Sequence, residues 1–92
     1  MPTGGAAAEA ARSEIRGLAT AKGHPTDNAR LALARLERAF ADGTLQRTAF
    51  LEQAITDLQV AIAQDQGQRL GGKSGEAARV ILRAIVRALD EA

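Results

Sequence analysis

Leu51-Glu52-Gln53-Ala54-Ile55-Thr56-Asp57-Leu58-Gln59-Val60-Ala61-Ile62 decides the fold. Leu51, Ile55, Leu58 and Ile62 return at spacings of 4, 3 and 4. That period matches about 3.6 residues per turn and puts all four on one helical face. Phe50, Ala54 and Ala61 widen the stripe from its flank, while Glu52 and Asp57 take the wet side. It is the strongest periodic segment in the chain.

Reading outward, Asp42-Gly43 breaks the pattern on the N-terminal side. Thr44 reads as the cap, so the segment predicts a helix over 44–66. Before the break, Ala29, Leu33, Leu36 and Phe40 repeat at 4, 3 and 4. They predict a helix over 27–42, capped by Thr26 or Asp27. The short link between these two helices implies an antiparallel αα-hairpin. Phe40 and Phe50 lie about one turn to either side of the link, and the expectation is that they plug its closed end.

Two further helices flank the hairpin. Ala8, Ala11, Ile15 and Leu18 predict one over 6–22, with an apolar face weakened by its alanines. Gly23 suits its left-handed end, and Pro25 stops continuation. Residues 1–5 are Pro- and Gly-rich and read as a disordered tail ahead of a single helical domain, 6–92. Ala78, Ile81, Leu82, Ile85, Val86 and Leu89 predict a last helix over 75–90, with Ser74 as its cap. Its wide apolar stripe marks it as the most deeply packed. The fold class is therefore all-α, a small four-helix bundle built around a central antiparallel αα-hairpin.

Composition agrees and excludes several functions. The 92 residues carry 12 Lys+Arg against 11 Asp+Glu, a net charge of +1. There is no Cys, Trp or Tyr, one His and two Phe. Disulfides, Cys-ligated zinc and Cys nucleophiles are excluded. The strong global basicity of many nucleic-acid binders is missing. No stretch of about 18 apolar residues is present to span a membrane, and the N-terminus lacks a signal-peptide pattern. The cytoplasm is the expected location. His24, alone before Pro25, reads as a turn or capping residue, since metal binding needs partners that the chain does not supply. No acid–base pair stands out as catalytic. No metal, cofactor or small-molecule substrate is expected.

Gly67-Gln68-Arg69-Leu70-Gly71-Gly72-Lys73-Ser74 satisfies the phosphate-binding pattern G-x-x-x-x-G-K-[ST]. In that motif backbone amides cradle phosphates, the Lys neutralises them and the hydroxyl binds Mg²⁺. It requires a buried strand immediately before it. Leu58 to Gln66 instead continue the helical register, so the string reads as a linker with a helix cap.

Charge is split along the chain. Arg79, Arg83 and Arg87 stand four apart in the last helix, with Arg69 and Lys73 just before it. Residues 67–89 hold these five bases and one acid, Glu76, whereas 48–66 hold Glu52, Asp57 and Asp65 and no base. Ala39 and Gly43 have the spacing of a helix-turn-helix turn, but the acidic helix that follows would be repelled by phosphates. The expectation is a non-enzymatic protein–protein interaction module: a small helical adaptor, subunit or inhibitor docking a macromolecular partner or itself. Its contacts would be Arg79, Arg83 and Arg87, with Arg69 and Lys73 as outer contacts. The alternative is a nucleic-acid-binding accessory protein using the same basic face.

Overall fold

The computed structural model describes residues 3–67 and 73–91. Four helices follow one another, α1 (Thr3–Thr20), α2 (Pro25–Ala41), α3 (Ala49–Gly67) and α4 (Lys73–Glu91). No strand occurs among the described residues. The chain is a four-helix bundle.

The helices alternate in direction. Glu14 meets Arg35 and Ala21 meets Asn28, so α1 and α2 run antiparallel. Gly75 at the start of α4 packs beside His24 and Pro25 at the start of α2. Leu45, just past the other end of α2, lines the same groove as Leu89, so α2 and α4 run parallel. These two helices cross the short diagonal and each touches the other three, whereas α1 and α3 do not meet. The α2–α3 hairpin forms, yet it is the most loosely packed neighbouring pair; α3 on α4 and α1 on α2 carry the heaviest contact. Ile15, Leu36, Leu58 and Ile85, one from each helix, are fully buried and centre the core. Each contributes about 1.5–3 kcal/mol by leaving water.

Several ends differ from the sequence expectations. Residues 3–5, expected in a disordered tail, belong to α1, whose other end comes at Thr20 rather than residue 22. Residues 1 and 2 lie outside the described residues. Gly23 has φ +114°, the left-handed conformation expected of it. Pro25 does more than stop the first helix: it opens the second, where its fixed φ fits and its missing N–H costs nothing. The cap is therefore His24, not Thr26 or Asp27. The α3 cap is Thr48, not Thr44. Thr48 accepts the Leu51 amide on its hydroxyl at 3.1 Å and the Glu52 amide on its carbonyl at 2.9 Å. Thr44 instead donates its amide to the Asp42 carboxylate at 2.9 Å and stays in the link. Ser74 stands inside the first turn of α4 rather than before it.

The closed end of the hairpin is also built differently. Phe40 is half-buried, with the Arg47 guanidinium 4.7 Å from its ring centre. Phe50 is 55% exposed and plugs nothing. Leu45 takes that place, buried from a non-helical link whose amide donates to the Ala39 carbonyl at 3.2 Å.

Candidate protein-docking groove

Because α1 and α3 flank α4 without meeting, part of α4 is left uncovered between them. A groove of about 890 Å³ opens there. Its long side is the outer face of α4 from Val80 to Glu91. The facing side is the link at Leu45 and Gln46 and the first turn of α3 at Phe50 and Leu51. Arg12 of α1 closes one rim. Phe50 and Val80 are both more than half exposed, and Ala84 and Ala88 are small, so the floor is apolar and shallow enough for close approach. An exposed apolar concavity of this kind marks an interaction surface more often than isolated surface apolar residues do.

The expected arginine stripe divides. Four residues advance an α-helix by about 40° beyond a full turn, so three positions at that spacing spiral over about 80°. Arg79 turns toward the α1–α2 link, beside Leu18 and Gly23, and pairs with Glu76 at 3.2 Å. Arg83 and Arg87 line the groove, and neither makes an ion pair among the described residues. Arg12, which the sequence did not mark, joins them and is held by Glu9 at 3.1 Å. Arg69 lies outside the described residues, as does the side chain of Lys73. Val80 and Ala84 were missed because they fall between the arginines on what reads as a wet face. A β-branched residue among charges at that position was the available signal.

A second polar cluster lies at the opposite end. His24 Nδ1 accepts the Thr26 amide at 3.2 Å, so Nδ1 carries no proton and the ring hydrogen sits on Nε2. That nitrogen stands 3.8 Å from Oδ2 of Asp65, which is fully buried near the end of α3. The capping role expected of His24 is the one it fills. One ring nitrogen is thus committed to the backbone, and the other faces a buried carboxyl where the ends of α2 and α3 come together.

The phosphate-loop string is split by the fold. Gly67 ends α3 and Lys73 opens α4, with residues 68–72 outside the described residues. The residues before it are helical from Ala49 onward, where the motif needs a strand. No three His, Asp or Glu side chains gather to hold a metal among the described residues. None of the helices is long and apolar enough to cross a membrane. Comparison with known protein families, curated proteins and solved structures finds no match to this chain.

Proposed function

We propose that this chain is a non-enzymatic docking module and that the groove between α4 and the start of α3 is its working surface. One observation carries the reading. The groove is floored by uncovered apolar side chains and rimmed by Arg83 and Arg87, which make no ion pair among the described residues. A buried interface needs an apolar centre with polar groups at its edge, and this surface has that arrangement. Nucleic-acid binding by the basic face is less well supported. Arg79 turns away from the other two arginines, and Glu91 stands on the same rim where it would repel phosphate.

Phe50→Asp tests the docking reading. Phe50 is exposed, so the substitution leaves the core intact while placing a charge in the groove. Affinity capture from nuclease-treated lysate would compare the parent and the variant. A stoichiometric protein retained by the parent and lost by the folded variant supports the reading. The same protein retained equally by both would overturn it.

A further inference from the structure

We propose that the occupant of this groove is an amphipathic helix of about three turns with acidic residues one turn apart along one flank. The inference rests on the docking reading above and names the chemistry of its partner.

Length comes first. From Val80 to Glu91 the groove follows α4 for eleven residue steps, about 16 Å at 1.5 Å per residue. That accommodates about three turns, enough for an i, i+4, i+7 set of apolar anchors, which spans about two, with a further turn to spare. Shape comes next. Ala84 and Ala88 lie along the floor and let a second backbone approach, while Phe50 and Val80 stand as walls for larger anchors. An extended strand would need an open sheet edge to pair with, and the described residues contain none.

Charge decides the partner's flank. Arg83 and Arg87 are one turn apart and have no acidic partner among the described residues. Carboxylates at i and i+4 on an adjacent helix repeat with the same rise of about 6 Å. Each guanidinium can then take one carboxylate in a two-point contact. Glu91 and the Glu9-bound Arg12 leave the rim net positive. A basic helix would be repelled, and a neutral one would leave both arginines without acids.

The test is a selection from a displayed library of 18-residue helical peptides, randomised on every face, against the intact protein. The expected consensus has three apolar anchors and Asp or Glu at i and i+4. A selected peptide should bind about tenfold or more weakly to Arg83→Glu/Arg87→Glu, and less strongly at high salt. Arg83→Gln/Arg87→Gln removes the charge without reversing it and should show an intermediate loss. Neutral or basic peptides that Phe50→Asp excludes would overturn the acidic partner while leaving the docking reading standing. Peptides that bind Phe50→Asp as well as the parent would overturn both. Self-association of the protein that Arg83→Glu/Arg87→Glu abolishes would make a second copy the occupant and overturn the inference.

Discussion

The Nε2 of His24 stands 3.8 Å from the Oδ2 of Asp65, which brings the start of α2 beside the last turns of α3. The other ring nitrogen caps α2 through the Thr26 amide. One side chain thus joins a local helix signal to a tertiary approach, and a Cβ at Gly75, at the start of α4, would come within 3.5 Å of its Cε1. The three helix ends meet around this ring, at the end of the bundle far from the groove.

Substitutions at His24 separate its two roles. Asn and Asp are equally good caps in isolation, and the helix dipole favours Asp slightly. Here Asp would direct a second carboxyl toward buried Asp65. We expect His24→Asn to cost under about 1 kcal/mol and His24→Asp to be clearly less stable than His24→Asn. Urea unfolding of the three proteins measures the order. An Asp variant as stable as the Asn variant would mean that Asp65 does not sense position 24.

The closed end of the hairpin gives a second comparison. Leu45 is buried from a link, whereas Phe50 is exposed from a helix. Leu45→Ala should cost about 2–4 kcal/mol, as removal of a buried leucine does. Phe50→Ala should cost under about 1 kcal/mol despite removing the larger side chain. Equal losses at the two positions would return Phe50 to the core.

These two positions also show where the sequence stops being legible. Four helices follow from period alone, because Leu51, Ile55, Leu58 and Ile62, like Leu36 and Ile85, must turn toward a common centre. Local signals were harder to rank. Thr44 and Thr48 are equally good caps, and the choice between them depends on Leu45 reaching the core, a contact that no local window contains. Pro25 is compatible with ending one helix or opening the next, and only the length of the link settles it. Phe50 lies beside the Leu51 seam, so its exposure depends on α1 and α3 failing to meet over α4. The arginines were legible as a stripe. Their division between Glu76 and the groove required knowing which helix lies on each side.

Backbone conformation predicts opposite outcomes at two glycines. Gly17 lies inside α1, and a Cβ there would meet no atom within 4 Å. Gly17→Ala should stabilise the protein by about 1 kcal/mol through helix propensity. Gly43 has φ +79° in the turn after α2. Alanine is strained there, so Gly43→Ala should destabilise by about 1 kcal/mol although the space around it is equally open. Thermal unfolding of both variants checks the pair. A shared sign would mean that backbone conformation does not govern the outcome at these two positions.

Acid should remove two contributions together. Hydrogen bonds from the Thr44 hydroxyl and amide hold the Asp42 carboxyl below its ordinary value. The Arg16 guanidinium, 2.7 Å from Asp90, does the same there. In both cases the folded state binds its proton less readily than the unfolded state does. Stability therefore rises with pH across the interval between the two values. The contribution is fully present above the ordinary aspartate value of about 3.9 and is lost as pH falls through the depressed folded value. Arg16 stays charged throughout, so only the carboxyl titrates. Asp90→Asn removes that titration and the ion pair with it. The variant should be less stable than the parent at pH 6, and the two urea midpoints should converge as pH approaches 2. Because the pair is exposed, added salt should narrow the gap at pH 6 as well. A gap that is unchanged between pH 6 and pH 2 would show that the Arg16–Asp90 contact, which joins α1 to the end of α4, does not contribute as an ion pair.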